Sequence, residues 1–225
     1  MMKLPIRKLT KENLIWLAEH HCRHQHSYLE HYTCFIAEKP DTSPLKEKIG
    51  VFDIESTGLF ANWAHMLCWC MKDMDSGVIY SDMVTKREIR DKNDRRVIGS
   101  AVKEIEKYDR IVTWYGTKFD LPFVRSKSMK YGIEFPAYKD LYHTDLYYMC
   151  RSKMRLHSNR LQSFCEYLGI PAKEHRMTPE LNEKCQAGDE EALGVILLHC
   201  EEDVNSTGEA FNRLLRHMML QKRSV

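Results

Sequence analysis

The sequence predicts an α/β fold in which a mixed five-stranded sheet is flanked by helices and preceded by a small N-terminal Cys/His module. Residues 49–55 (IGVFDIE) are an apolar run typical of a buried strand, and two β-rich stretches, 63–71 and 77–84, follow it. Strand-like and helix-like segments then alternate over 94–143. Three successive strands followed by βα alternation indicate a sheet with both antiparallel and parallel strands.

Apolar periodicity and capping residues define the expected helices. Val97 and Ala101 recur at helical spacing, Thr10 is placed to cap the first helix, and Asp120 is placed to cap a later one. The expected helices cover 10–20, 94–107, 120–131, 145–152, 159–168, 178–186 and 189–219, and the last two expected strands cover 110–115 and 139–143.

Composition and charge are those of an ordinary globular protein. The 225 residues are 43% hydrophobic and 29% charged, and the net charge is only +2, so any contact with nucleic acid would depend on local patches. The opening MMKLPIRKLTK contains no apolar signal-peptide core, and no run of 18 apolar residues suggests a membrane span. We therefore expect a cytoplasmic, reducing setting, where eight cysteines indicate metal binding more often than disulfides.

Three segments are expected along the chain. Residues 1–36 are interpreted as an N-terminal helix plus a zinc-binding module, and 37–47, which are polar and contain two prolines, as a linker. Residues 48–225 are interpreted as the main domain.

The stretch 20–34 is unusually rich in cysteine and histidine. With 8 cysteines and 11 histidines in 225 residues, a window of this length should hold only one or two, yet it holds seven. Sulfur and imidazole are preferred zinc ligands. The preferred ligand set is Cys22, His26, His31 and Cys34, with His24 as the alternative to His26. An exposed helix end with incidental histidines is the competing interpretation.

Two acidic side chains share one face of the first strand. Because side chains alternate along a strand, Asp53 and Glu55 point one way while Phe52 and Ile54 point the other. Carboxylates in an apolar strand are costly unless paired, and a divalent cation offsets that cost. The competing interpretation is a half-solvated strand with two exposed acids.

Two further acidic positions follow along the chain. Asp120 opens a helix after a strand and a glycine loop, and Asp203 lies four residues after His199 on the same helical face. Taken separately, Asp120 is an ordinary N-cap residue and Asp203 is part of a solvated acidic cluster. The apolar residues at 195–198 nevertheless indicate a helix that is buried on much of its surface.

The order and spacing of these motifs resemble the DEDD exonuclease superfamily. The chain carries D-x-E-S-T-G at 53–58, G-x-x-F-D at 116–120 and H-x-x-x-D-V at 199–204, and residues 159–170 resemble the segment between the second and third motifs. The resemblance covers about 48–217 and is greatest to RNase H-like exonucleases related to the proofreading domains of family B DNA polymerases. It implies an RNase H-like fold and hydrolysis of phosphodiester bonds at 3′ ends.

The resemblance also implies a role for each carboxylate. Asp53 would bridge two Mg²⁺ or Mn²⁺ ions, Glu55 and Asp203 would complete the site that holds the attacking water, and Asp120 would support the second ion. Oxygen ligands suit these cations, and two ions about 3.5–4 Å apart stabilise both oxygens of an in-line displacement.

His199 departs from the family pattern. One branch of the superfamily has a tyrosine four residues before the last aspartate, and another has a histidine five residues before it; this chain has histidine at the tyrosine's spacing. A histidine suits the role of general base because its unperturbed pKa lies near neutrality. A helix histidine satisfied by a neighbouring carboxylate is the alternative. Asp145 is interpreted as a supporting residue or a helix N-cap.

Candidate substrate contacts lie near the motifs. Phe60 and Trp63 are expected to stack on a terminal base, with core packing as the rival interpretation. Arg151 and Arg155 belong to a run with Lys153 and Arg160 that contains no acids and is expected to contact phosphates, unless it is plain solvated surface.

The sequence therefore predicts a metal-dependent 3′–5′ exonuclease for single-stranded ends, with DNA as the favoured substrate, two Mg²⁺ or Mn²⁺ ions and one structural Zn²⁺. A polymerase or another replication or repair protein is the protein partner that such a role suggests. The alternatives are a structure-specific RNase H-like endonuclease and a zinc-stapled nucleic-acid-binding scaffold with an inactive nuclease domain.

Overall fold

A computed structural model describes most of the chain: residues 9–38, 40, 47–137, 140–171, 174–175, 177–215 and 217. The chain divides into two compact units, an N-terminal unit of Met1–Glu47 and a C-terminal unit of Lys48–Val225. Most of the predicted linker at 37–47 lies outside the described residues.

The N-terminal unit contains two short helices, α1 (Lys11–Glu19) and α2 (Tyr32–Glu38). The Thr10 hydroxyl accepts the Asn13 N–H at 3.2 Å, which confirms the predicted N-cap of α1. Helix α2 was not predicted from the sequence. It begins at Tyr32, within the His/Cys stretch 20–34. Among the described residues of this unit, a small core contains Leu17, Cys22, Tyr28, Cys34 and Phe35.

A mixed five-stranded sheet organises the C-terminal unit, as predicted. Its strands are β1 (Ile49–Ser56), β2 (Met66–Asp73), β3 (Ile79–Met83), β4 (Arg110–Thr113) and β5 (Tyr142–Asp145). Their order is β3-β2-β1-β4-β5. Strands β1, β2 and β3 pair antiparallel, whereas β4 and β5 continue from β1 in parallel.

Strand boundaries differ from the predictions for local reasons. Strand β2 begins at Met66 rather than at 63, because the Phe60 carbonyl accepts the N–H groups of Trp63 and Ala64 and closes a turn. Strand β4 ends at Thr113 because the backbone turns there: Tyr115 has a φ of 71°.

Helices cover both faces of the sheet. They are α3 (Lys86–Arg90), α4 (Arg95–Ile105), α5 (Asp120–Tyr131), α6 (Leu146–Lys153), α7 (Leu161–Leu168), α8 (Pro179–Gln186) and α9 (Glu190–Leu215). Of the predicted last helix, 216 and 218–219 lie outside the described residues. Within the described part of the chain, every helix is too short or too polar to cross a bilayer.

The two faces of the central strands have different neighbours. Asp53 pairs with Cys70 and Glu55 with Cys68, so these four side chains share a face of the sheet. Helix α9 packs on this face, where the Cys200 thiol contacts Asp53. On the opposite face Trp69 of β2 meets α4. The sheet therefore presents the first acidic motif to α9. Cys68 and Cys70 are fully buried, which agrees with their interpretation as core residues.

A buried ion pair joins α4, α5 and β2. The Lys127 ammonium lies 3.0 Å from the Asp94 carboxylate, and both side chains are 1% exposed. Burial alone raises the pKa of Asp94, but hydrogen bonds from Tyr131, the Met66 N–H and Lys127 outweigh it and hold this pKa below its usual value. Burial lowers the pKa of Lys127, and Asp94 partly offsets that effect. This pair is absent from the sequence-based expectations.

Candidate active site

The acidic motifs meet where β1, the first turn of α5 and the middle of α9 come together. Strand β1 supplies Asp53 and Glu55, α5 begins with Asp120, and α9 supplies His199 and Asp203. These five residues are the predicted catalytic set, and the fold brings them to one place.

Glu55, His199 and Asp203 form the open part of this site. Their potential ligand atoms all lie within 4.8 Å of one another. His199 Nε2 is 3.5 Å from Glu55 Oε1 and 3.6 Å from Asp203 Oδ2. The side chains of Glu55, His199 and Asp203 are 16%, 12% and 14% exposed respectively, so the group is largely shielded from bulk water but keeps some solvent access.

The hydrogen bonds of His199 define which nitrogen faces the carboxylates. His199 Nδ1 lies 2.7 Å from the backbone carbonyl of His175. A carbonyl oxygen only accepts, so Nδ1 carries the hydrogen. In the neutral ring Nε2 then keeps its lone pair and directs it toward Glu55 and Asp203. This is the orientation that a proton acceptor or a metal ligand requires at that position.

Glu202 holds His175 in place behind this histidine. Its carboxylate accepts the His175 backbone N–H at 3.1 Å and bonds the His175 ring nitrogen at 2.7 Å. Burial alone raises the pKa of Glu202, but the hydrogen bonds from His175 outweigh it and keep the pKa below its usual value. Glu202 positions His175, and the His175 carbonyl in turn fixes the imidazole of His199. Sequence reasoning missed His175 and Glu202, and no local motif marks either residue.

Asp53 contacts a buried thiol. Cys200 Sγ lies 3.4 Å from Asp53 Oδ2 and 3.5 Å from the Asp53 carbonyl oxygen. Burial holds the pKa of Cys200 well above its usual value, so the thiol stays protonated and acts as a donor. The contact directs one oxygen of Asp53 toward α9.

Asp120 is not the N-cap residue that the sequence predicts. Phe119 occupies the N-cap position, and Asp120 is the first residue inside α5. Its carboxylate instead accepts the Ile54 N–H at 3.1 Å and is 3% exposed. Burial, followed by the nearby charge of Asp53, raises the pKa of Asp120 well above its usual value. The side chain is thus directed at β1 rather than at its own helix.

The loop between β4 and α5 is held by Asp145. One carboxylate oxygen of Asp145 accepts the N–H groups of Tyr115 and Tyr147, and the other accepts the Thr117 N–H. The bond to Tyr147 confirms Asp145 as the N-cap of α6. A Cβ at Gly116 would lie 2.4 Å from Thr113 Oγ1, so this turn requires glycine. These contacts set the position from which α5 presents Asp120.

The donor set suits hard divalent cations. Oxygen ligands are what Mg²⁺ and Mn²⁺ prefer, and this site brings four carboxylates together, two of which lie beside the His199 imidazole. The raised pKa of Asp120 reflects burial and crowding of negative charge, which a bound cation would relieve. The residues present therefore fit divalent metal binding.

A known protein family matches most of the C-terminal unit. A family model described as the RNase_H superfamily matches residues 51–215. The chain belongs to the RNase H superfamily. Membership of this superfamily supports nuclease activity. No curated protein gives a significant match.

Among solved structures, the RNase H-like unit is similar to part of the family B DNA polymerase from the hyperthermophilic archaeon Pyrobaculum calidifontis. The TM-score is 0.64 at 19% sequence identity. The match covers 78% of this chain and 25% of the polymerase, so the chain spans about a quarter of that protein's length. At 19% identity, this structural similarity is evidence for the fold alone.

Exposed apolar side chains follow the first acidic motif in this RNase H-like unit. Leu59, Phe60 and Trp63 are 74%, 71% and 81% exposed. Core packing, the rival interpretation of Phe60 and Trp63, therefore does not describe them.

The basic run 151–160 is also at the surface. Arg151 and Lys153 end α6, Arg155 follows that helix, and Arg160 precedes α7; all four are exposed. The Trp114 indole donates to the Asn159 carbonyl at 3.2 Å, which ties this segment to the end of β4. The four cations remain candidates for phosphate contacts.

A tyrosine cluster beside Asp145 was not predicted. The ring of Tyr115, which is 43% exposed, lies 4.7 Å from that of Tyr147 and 6.1 Å from that of Tyr148. The HTDLYY motif contains Tyr147 and Tyr148. Their contact with Tyr115 depends on the positive φ of Tyr115.

In the N-terminal unit the structure gathers a different Cys/His set from the preferred one. The potential ligand atoms of Cys22, His24, His31 and Cys34 lie within 4.8 Å of one another. His26 is outside this group, so the alternative set with His24 is the one assembled. The choice depends on a tight turn, in which Gln25 has a φ of 67°.

Proposed function

We propose that this chain is a metal-dependent 3′–5′ exonuclease that removes nucleotides from single-stranded ends, with DNA as the favoured substrate. The observation that carries the proposal is the convergence of Glu55, His199 and Asp203 within 4.8 Å, next to Asp53 and Asp120. Superfamily membership supports nuclease chemistry. The 3′ polarity rests on the family resemblance of the motifs.

Asp53, Glu55, Asp120 and Asp203 are the residues that would hold two Mg²⁺ or Mn²⁺ ions. When bound, such ions stabilise the charge that develops on the phosphate and lower the pKa of an attacking water. The Ile54 N–H orients Asp120 and the Cys200 thiol orients Asp53, so two of the four carboxylates are held before substrate arrives.

His199 is the general base in this proposal. Its Nε2 takes a proton from the attacking water, whose oxygen forms a bond to phosphorus. The bond from phosphorus to the O3′ of the preceding nucleotide breaks, and that oxygen takes up a proton. The products are a nucleoside 5′-monophosphate and a strand with a new 3′ hydroxyl. Contact between His199 Nδ1 and the His175 carbonyl keeps the accepting nitrogen directed at the site.

Surface side chains supply the strand contacts. Phe60 and Trp63 are exposed at the end of β1 and offer stacking surfaces for bases, which favours single strands because paired bases are already stacked. Arg151 and Arg155 supply positive charge for the backbone phosphates.

The test compares labelled linear single strands with covalently closed circles of the same sequence, as DNA and as RNA, with Mg²⁺ or Mn²⁺. We expect stepwise shortening of 5′-labelled linear DNA and intact circles. Cleavage of circles as fast as linear strands would identify the structure-specific endonuclease. Complete absence of hydrolysis in both cations would identify the inactive scaffold. The Asp203→Asn variant is the control against contaminating nucleases.

A further inference from the structure

The Cys/His cluster of the N-terminal unit lies in a part of the chain that the nuclease proposal does not use. It joins four side chains from a turn, a short connection and α2: Cys22, His24, His31 and Cys34. We propose that these four residues bind one structural Zn²⁺, with His24 rather than His26 as a ligand.

The spacing of the ligand atoms fits a tetrahedral ion. Cys22 Sγ lies 3.8 Å from His24 Nδ1 and 3.7 Å from His31 Nδ1. Cys34 Sγ lies 3.3 Å and 3.5 Å from the same two nitrogens. Zinc bonds of about 2.3 Å to sulfur and 2.0–2.1 Å to nitrogen, directed tetrahedrally, place each sulfur roughly 3.6 Å from each nitrogen. The four observed distances are distributed around that value.

Both histidines offer the same ring nitrogen to this position. His24 and His31 face both sulfurs through Nδ1, so one atom of each ring meets both cysteines. Two thiolates and two imidazoles in a tetrahedral arrangement are the ligand set typical of structural zinc.

The backbone explains why His24 and not His26 joins the cluster. The Gln25 N–H donates to the Cys22 carbonyl at 2.8 Å, and the Cys22 N–H donates to the His26 carbonyl at 2.9 Å. These bonds close a turn with His24 near its tip. The positive φ of Gln25 reverses the chain directly after His24, and the His26 ring packs edge-on against His31 instead of entering the cluster.

The surroundings indicate that the ion is structural. Cys22 and Cys34 are 2% and 8% exposed and belong to a core that has five members within the described residues 9–38, which is very small for an independent fold. Glu38 reinforces the same turn by accepting the Tyr28 hydroxyl and the Arg23 N–H. Apart from its histidines, the segment 9–38 contains two Lys/Arg and four Glu side chains, so its charge does not favour a phosphate-binding role.

The experiment measures zinc per chain in the full-length protein, purified under reducing conditions without added metal. We expect about one Zn²⁺ in the wild type and in His26→Ala, and almost none in Cys34→Ser and His24→Ala. Replacement of zinc by Co²⁺ should give the absorption of a four-coordinate site with two thiolates in the wild type and in His26→Ala. His24→Cys should retain the metal and intensify the thiolate-to-cobalt bands, because it adds a third sulfur.

Three results would overturn the assignment: a wild type without zinc, equal zinc in His24→Ala and the wild type, or loss of zinc in His26→Ala with retention in His24→Ala. A Cys22–Cys34 disulfide that persists under these reducing conditions, detected as a mass deficit of two hydrogen atoms, would also do so. Metal content and cobalt absorption are independent of hydrolysis, so failure of this inference and failure of the nuclease proposal are distinguishable.

Discussion

In the N-terminal unit, two of the four candidate metal ligands are themselves core residues, whereas in the C-terminal unit the acidic ligands lie beside a core built from other side chains. Cys22 and Cys34 are two of the five buried residues in the described part of the first unit. Asp53 and Glu55 instead belong to a strand whose apolar residues, such as Val51, Phe52 and Ile54, pack into a core supplied by the sheet and its helices.

This difference corresponds to two roles that a bound metal ion can have, one in folding and one in chemistry. Where a core is too small, ligands hold the chain in shape and the fold depends on the ion. Where the core is large, the fold holds carboxylates close together against their mutual repulsion, and the ion is needed for chemistry rather than for folding. Loss of a ligand should therefore disorder the first unit but only inactivate the second.

The largest effect is expected from Asp53→Asn. This change removes the charge of a proposed metal ligand but keeps the shape of the side chain, so hydrolysis should fall by about 10³-fold, equivalent to roughly 4 kcal/mol of transition-state stabilisation. Initial rates on labelled DNA test this, with thermal melting and zinc content as controls. Both controls should stay at wild-type values. Persistent hydrolysis would remove Asp53 from the site, and a large drop in melting temperature would contradict the separation of fold from ligands.

Lys127→Met tests whether the stability of the C-terminal unit depends on the buried ion pair between Lys127 and Asp94. It leaves the buried carboxylate of Asp94 without its cation, which should destabilise the unit by about 3 kcal/mol. Calorimetry should record a fall in melting temperature of roughly 10 °C. Lys184→Met is the matched control, because Lys184 pairs with Glu180 at the surface, and it should change melting far less. Equal falls in melting temperature for the two variants would show that the buried pair contributes no more stability than the surface pair.

Glu202→Gln tests the support behind His199. It weakens the bonds that position His175, and loss of a supporting carboxylate typically lowers activity by about 10-fold. Single-turnover rates should fall by less than in His199→Ala, which removes the proposed base itself and should lose about 10²-fold. Once His199 is alanine, Glu202→Gln should have little further effect. Fully independent losses in the double variant would show that Glu202 does not act through His199.

The smallest effect is expected from Asp120→Asn on stability without divalent metal. The folded-state pKa of Asp120 is raised, so its charged form destabilises the fold as pH rises through that pKa, and the penalty vanishes below the unfolded value. Asparagine retains an acceptor for the Ile54 N–H without the charge. The variant should gain about 1 kcal/mol in EDTA at neutral pH while losing activity. No gain, or a loss, would contradict the idea that the fold opposes carboxylate repulsion here.

Patterns that depend on neighbouring residues were predictable from the sequence. Strand alternation placed Asp53 and Glu55 on one face, and helical spacing placed His199 beside Asp203. The mixed sheet followed from the order of strand-like and helix-like segments.

Contacts between distant segments outside the three acidic motifs were not predictable. The Lys127–Asp94 pair and the His175–Glu202 pair join residues with no shared local pattern. Asp120 was misassigned as a cap because its partner is an amide of β1, far away in the sequence.

The choice of His24 over His26 required a backbone conformation that the sequence did not signal. A positive φ is usually marked by glycine or asparagine, but glutamine occupies the turn at position 25. The same difficulty explains the tyrosine cluster, which depends on the positive φ of Tyr115.

All eight cysteines are buried and unpaired by disulfides, and they are distributed between both units. A thiol in this state reacts with an alkylating reagent only when its surroundings open. Alkylation of these thiols therefore reports local opening: Cys22 and Cys34 report opening of the N-terminal unit together with release of its proposed zinc, and Cys68, Cys150 and Cys200 are among those that report opening of the C-terminal unit. Alkylation of the wild-type protein followed by peptide mass analysis would give an opening free energy for each unit.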